Sequence, residues 1–427
     1  MVEQGFRKAQ VASSSLALGS NSRIGVILDS YSSQARTSVP GTDPGSSTAG
    51  SLHHPSPMRS ATITIILVLL LVACAGPPNP TPSDGSVVAR PSQEPDSPVT
   101  IQWTVETEPV PDGRDAADDP AIWVDSEDPT RSVIIGTNKK GTDGLLVYDL
   151  SGAQLQATGG AAMNNVDLLA DVSIGGRDRI LVVASTVDKR TLEVFELDPR
   201  TRTLAPLRGG SINTGIRGAG VCLHRAAHDA IDAFVTRGNG LVQQWRIVGS
   251  DDGGVEGEFV REVTFESRVE GCVADDAAGH VFLAEEAVGI WRISADSEAP
   301  EDRELIDATD DGGQLTPDVE GLAIAAYPDG RRFLIASSQG DDRFVVYRLD
   351  DSAVVPVGEF RILGPHGDDV THTDGVEVTT QPLAAGPFGG GILVVQDDDN
   401  ADPAGPELGQ NFKLVPWTLV EEHLGID

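Results

Sequence analysis

The sequence predicts an all-β protein, a six-bladed β-propeller of four-stranded antiparallel blades. Three observations predict it. From about residue 100 onward, helical windows with apolar residues at i, i+3 and i+4 are scarce, while short β-branched runs separated by Gly, Asp, Asn and Pro recur. A unit of apolar strand, polar loop and second strand, usually ending aromatic-x-apolar, repeats six times. A polar residue followed by a small or apolar one precedes five of the six units, with Ala219 in its place before the third, at the same period.

The first unit runs from Val133-Ile134-Ile135 to Val147-Tyr148-Asp149-Leu150, and the second from Ile180-Leu181-Val182-Val183 to Val194-Phe195-Glu196-Leu197. The third joins Ala233-Phe234-Val235 to Gln244-Trp245-Arg246-Ile247, the fourth Val281-Phe282-Leu283 to Ile290-Trp291-Arg292-Ile293, and the fifth Phe333-Leu334-Ile335 to Val346-Tyr347-Arg348-Leu349. The sixth joins Ile392-Leu393-Val394-Val395 to Phe412-Lys413-Leu414-Val415-Pro416-Trp417. The leading motifs begin at Asp119, Asn165, Ala219, Glu270, Glu320 and Asp374, spaced 46, 54, 51, 50 and 54 residues apart, which suits a blade of four short strands. A single such sheet cannot bury both faces alone. Radial packing of six buries them around a central channel, with the innermost strands starting near those six positions.

Equivalent residues in a ring of blades lie at one height around the axis, so Asp119, Asn165, Glu270, Glu320 and Asp374 are expected to converge on one mouth of the channel. Asp118, Asp318 and Asp368 adjoin that ring, and the loops between later strands add Glu285-Glu286, Gln339, Asp341-Asp342 and Asp397-Asp398-Asp399-Asn400. Carboxylates crowded in this way repel, and a cation relieves them. Oxygen donors without His or thiolate select calcium or magnesium, and many ligands in irregular loops favour calcium.

The charge agrees. The 427 residues hold 65 Asp+Glu against 31 Lys+Arg, a formal net charge of −34. Such a chain repels phosphate backbones, so no nucleic-acid partner is expected, and divalent cations are its natural complement. Three Cys, at 74, 222 and 272, lack the paired spacing of a structural zinc site and are too few for a disulfide framework, so the core is expected to hold by packing alone.

Met58-Arg59-Ser60 followed by the apolar run Ala61 to Ala73 reads as a secretory signal, too short for a comfortable membrane span. Leu71-Val72-Ala73-Cys74 resembles a bacterial lipoprotein box, which implies lipidation at Cys74. The expected organisation is therefore an upstream gene-model extension or disordered stretch over 1–57, a signal peptide over 58–73, a Pro/Ser-rich tether over 74–100 and the propeller over 101–427. The expected location is extracellular, tethered to the bacterial cell membrane through Cys74 alone, and the expected state is a monomer.

Several segments carry a family resemblance: Glu106-Thr107-Glu108-Pro109-Val110, Asp115-Ala116-Ala117-Asp118-Asp119-Pro120-Ala121-Ile122-Trp123, Gly136-Thr137-Asn138-Lys139-Lys140, Asn164-Asn165-Val166-Asp167, Asp318-Val319-Glu320-Gly321-Leu322, Thr373-Asp374-Gly375 and Gln410-Asn411-Phe412-Lys413-Leu414-Val415-Pro416-Trp417. With segments from the first, second, fifth and sixth blades, residues 101 to 427 resemble the β-propeller phytases. The resemblance implies a calcium-dependent phosphatase, of the 3-phytase type, that removes phosphate from myo-inositol hexakisphosphate or another phosphomonoester and carries several calcium ions. It also implies metal positions at Glu106, Asp119, Asn164, Glu270, Glu286, Asp318, Glu320, Gln339, Asp368, Asp374, Asp397 and Asn400, to which the ring adds Asp118. Asn164 comes from the resemblance and Asn165 from the repeat. Asp119, Glu270, Glu320 and Asp374 are placed at the catalytic metals, where calcium would polarise water for in-line attack and no protein nucleophile is needed. Lys139 and Lys140 are candidates for steadying the phosphoryl charge.

Other phosphatase chemistries fail on residues. His366-Gly367 follows Pro365 rather than Arg, neither Cys222 nor Cys272 starts a Cys-x5-Arg loop, and the P-loop spacing from Gly136 to Gly141 is followed by Thr142 rather than Lys. Departures from the family fall at phosphate contacts. Lys189 or Arg190 must stand in for an Arg in the second blade, Ala219-Gly220 replaces Tyr-Gly with Arg217 nearby, and Gly238 replaces a Lys with Arg237 beside it. The alternative is a calcium-stabilised surface binding module with little or no turnover.

Overall fold

Runs such as Val133-Ile134-Ile135 are continuously apolar because both faces of each blade are buried. Ile134 packs toward the sixth blade while Val133 and Ile135 pack toward the second. The computed structural model describes residues 99–426, except 159, 227–229, 311, 351–352, 384–385 and 401–408. The signal peptide, Cys74 and nearly all of the tether lie outside the described residues.

Six antiparallel four-stranded meanders form the blades. Their inner strands are Pro120–Trp123, Met163–Ile174, Val221–Arg225, Val269–Asp275, Val319–Ala326 and Val376–Thr379. Each inner strand touches the next, and the last touches the first, so the ring is closed. The core is six apolar clusters, one at each blade interface. The first five blades are continuous in sequence. The sixth takes its outer strand from the other end of the chain, where Val105 pairs with Leu414 and Glu106 with Lys413. A further strand, Val99–Gln102, lies parallel along the outer edge of the fifth blade.

Glycines of the leading motifs set how closely the inner strands approach. A Cβ on Gly220 would lie 1.9 Å from the Glu270 carbonyl oxygen, and one on Gly271 would lie 2.1 Å from that of Glu320. In blades three to six only hydrogen fits between one inner strand and the next, and this explains the Glu-Gly and Asp-Gly pairs of the repeat.

One expectation is corrected. Cys222 and Cys272 form a disulfide with their Cα atoms 5.7 Å apart, joining the inner strands of the third and fourth blades. Fifty residues separate them, close to one blade period, and this brings them side by side.

Candidate functional site

The acids that begin the inner strands of blades four to six meet at one mouth of the channel. A cavity of about 270 Å3 is lined there by Asp115, Asp118, Lys139, Asn164, Arg268, Glu270, Glu286, Asp318, Glu320, Gln339 and Asp374. Carboxylate oxygens of Glu270, Glu286 and Glu320 lie within 4.8 Å of one another. Burial, and after it the charge of Glu270, raises Glu320 well above its ordinary pKa and pushes Glu286 up to about 7. Glu286 Oε1 and Glu320 Oε2 are buried without a hydrogen-bond partner. Buried orphan oxygens in an all-oxygen donor set fit a hard cation.

Lys139 closes the other side. Its Nζ donates to Asp374 Oδ2 at 2.8 Å and Asp118 Oδ2 at 2.9 Å, and lies 3.0 Å from Asp115 Oδ1. Burial opposes its charge, but Asp118 and Asp374 outweigh it and raise its pKa, so Lys139 stays protonated. Gln339 Nε2 donates to Asp374 Oδ1 at 2.7 Å, which fixes that carboxylate from both sides. Lys140 points away, donating to the Arg114 carbonyl and lying 3.3 Å from Asp115. Glu285, paired with Glu286 in sequence, instead accepts from Ser267 and Trp291 in the fourth blade.

Asp119 and Asn165 are not at the mouth. They line the central channel, a cavity of about 320 Å3, with Asp167 and Glu377. Successive side chains of an extended strand point to opposite sides. In blades one and two the mouth-facing residue is one place earlier, at Asp118 and Asn164, and Asp119 and Asn165 occupy the position that is glycine in the other four blades. There they tie neighbouring inner strands together. Val166 N–H donates to Asp119 Oδ2 at 3.2 Å, and Val221 N–H to Asn165 Oδ1 at 2.7 Å. Burial, then Asp118, raises Asp119 well above its ordinary pKa.

Four expected metal positions gather elsewhere, around a lysine that sequence reasoning missed. Lys413 is fully buried, and its Nζ donates to Glu106 Oε2 at 2.6 Å, Asp368 Oδ2 at 2.6 Å and Asn400 Oδ1 at 3.2 Å. Asp397 Oδ2 lies 3.4 Å away, and the ammonium sits 4.6 Å from the centre of the Trp103 ring. Burial pushes Asp397 up to about 7 despite Lys413, and its Oδ2 has no hydrogen-bond partner.

The basic candidates divide. Arg217 and Arg237 line a third cavity, of about 410 Å3, beside the mouth, together with Asn164, Gly238, Arg268 and Glu270. Arg190 is exposed on the second blade and lines neither cavity. Arg268 was not foreseen, although its place two residues before Glu270 in the repeat was a signal for it.

Fold and site together define a six-bladed propeller whose mouth sets carboxylates beside a lysine and arginines, an arrangement suited to an anionic ligand bridged by cations. A family model described as "Phytase" matches residues 64–427, and the chain belongs to the phytase family as an enzyme. It is similar to the "3-phytase" of Bacillus subtilis (strain 168), 39% identical over 328 residues that cover 75% of this chain and 84% of that protein. A solved structure of BBS1N in complex with ARL6DN is more remote, at 11% identity and a TM-score of 0.40, over 67% of this chain and 76% of that one.

Proposed function

We propose that the protein hydrolyses phytate to lower inositol phosphates and inorganic phosphate, as a calcium-dependent phosphomonoesterase. The observation that carries this is the cluster of Glu270, Glu286 and Glu320, with two buried oxygens that accept no hydrogen bond, in a chain of the phytase family. Glu270, Glu286, Glu320 and Asp374, with Asp118, Asn164, Asp318 and Gln339 around them, would hold the catalytic ions. Glu106, Asp368, Asp397 and Asn400 would hold a structural ion beside Lys413. Bound calcium would supply Lewis-acid polarisation of phosphate oxygens and of the attacking water.

The chain's own residues do the rest. Lys139, permanently charged, is held by Asp118 and Asp374 where it faces the mouth, so it stabilises phosphoryl charge and does not transfer a proton. Gln339 and Lys139 hold the two oxygens of the Asp374 carboxylate, which fixes its orientation at the cavity wall. Arg217 and Arg237 add positive charge at one side, where a polyphosphorylated substrate extends past the reacting group. Arg190, which lines neither cavity, is left out of this set. The protein is further proposed to be exported and anchored by a lipid at Cys74.

Release of inorganic phosphate from phytate is the test. Chelator-stripped protein should release none, and added calcium should restore release. Full activity in chelator would overturn the calcium reading, and no release in saturating calcium would overturn the phytate reading.

A further inference from the structure

Arg268 sits between two cavities of opposite character. Toward the mouth, its Nη2 donates to Glu270 Oε1, and its Nε lies 2.9 Å from Glu286 Oε1. The second approach is badly aligned, since Glu286 Oε1 has no hydrogen-bond partner. Away from the mouth, Arg268 lines the cavity of Arg217 and Arg237. A Cβ on Gly238 would lie 3.5 Å from Arg268 Nε, an ordinary contact, so the arginine side chain runs alongside Gly238. The side chain is 53% exposed. Three arginines therefore line one cavity of a chain with a formal net charge of −34.

We infer that Arg268 is a substrate-binding residue with two alternative partners. Without metal its charge is spent on Glu270 and Glu286; once those carboxylates are neutralised, the same charge serves a second phosphate group of the substrate, with Arg217 and Arg237. The inference rests on the calcium reading of the mouth. Guanidinium and metal compete for the same oxygens, so Arg268 must weaken metal uptake in the empty site. It must also strengthen substrate binding in the loaded one, because a bidentate guanidinium matches a phosphate better than any other side chain.

The two roles have opposite signs, so one variant tests both. In Arg268→Gln, calcium titrated calorimetrically into chelator-stripped, substrate-free protein should bind roughly fivefold more tightly, the scale of a half-exposed ion pair. In saturating calcium, the KM for phytate should rise by roughly tenfold, and Arg268→Lys should recover part of the rise. Unchanged or weaker calcium binding, or an unmoved KM, would overturn the inference while leaving the calcium-phytase reading intact. Wild-type protein that took up no calcium would overturn both.

Discussion

Replacing Gly271 by alanine tests whether close approach of the inner strands governs both stability and the mouth. The added Cβ would lie 2.1 Å from the Glu320 carbonyl oxygen, 2.8 Å from its carbon and 3.1 Å from Gly321 Cα. All three are backbone atoms, so no side chain can swing aside, and the fourth and fifth inner strands must part by roughly an ångström to reach ordinary contact. Overpacking of this kind costs about 1–3 kcal/mol, and a rigid backbone target places it near 3. For a domain of this size that is about 5 °C in melting temperature. Because the strand that moves carries Glu320, calcium binding at the mouth should weaken as well. Calorimetric melting in chelator and calcium titration read the two effects. Gly279→Ala is the control: it lies in the same blade with a positive φ of 67° but has nothing within 4 Å of its added Cβ, so it should cost backbone strain of about 1 kcal/mol and leave calcium binding alone. If Gly271→Ala melts no lower than this control and binds calcium as wild type does, tight inter-strand contact is not what positions the mouth.

Further outcomes follow from the site. Glu270→Gln and Asp374→Asn remove charge at constant size, and each should lower turnover by roughly a hundredfold or more at limiting calcium while the fold persists in excess calcium; steady-state phosphate release against calcium concentration measures this. Lys413→Met leaves Glu106, Asp368 and Asp397 facing one another without their ammonium, and should cost about 3–5 kcal/mol in chelator, with part regained on adding calcium; a melt unchanged in both conditions would mean the lysine does not hold the cage. Asp167 in the channel is pushed up to about 7 by burial, so the folded state holds its proton more tightly than the unfolded chain does. Its contribution is then present below about pH 4 and is lost as pH rises through 7. Asp167→Asn should therefore raise the melting temperature at pH 8 and change it little at pH 4, and equal shifts at both would refute the assignment.

The propeller was legible because burial of both blade faces writes continuous apolar runs, and a closed ring writes them at a constant period. Most of the mouth was legible for the same reason, with Glu270, Glu320 and Asp374 each standing before a glycine. Where blades one and two have no glycine, the repeat lost its phase by one residue, and Asp119 and Asn165 were placed at the mouth where Asp118 and Asn164 stand. The Cys222–Cys272 bond escaped a reading based on short spacings, because its two ends are neighbours only after the ring forms. Lys413 was hidden for a different reason. One charged residue inside Phe412-Lys413-Leu414-Val415 reads as the outward residue of a strand, and only the folded neighbourhood shows four polar partners waiting for it.

The sixth blade works as a clasp. Its outer strand is the first of its four in the chain and pairs with the last, and Lys413 reaches across 307 positions to Glu106. Every other blade can assemble from neighbouring hairpins, but this one waits until both ends of the propeller chain exist. The entropy of closing so long a loop grows only with the logarithm of its length, so the expense is modest, yet it falls late, when nearly all other pairings are made. Until it is met, the sixth blade presents a bare edge and the cage around Lys413 lacks one wall. Fastening the ends of the chain and completing that cage are thus a single event, and whatever draws Glu106 toward Lys413 also locks the ring shut.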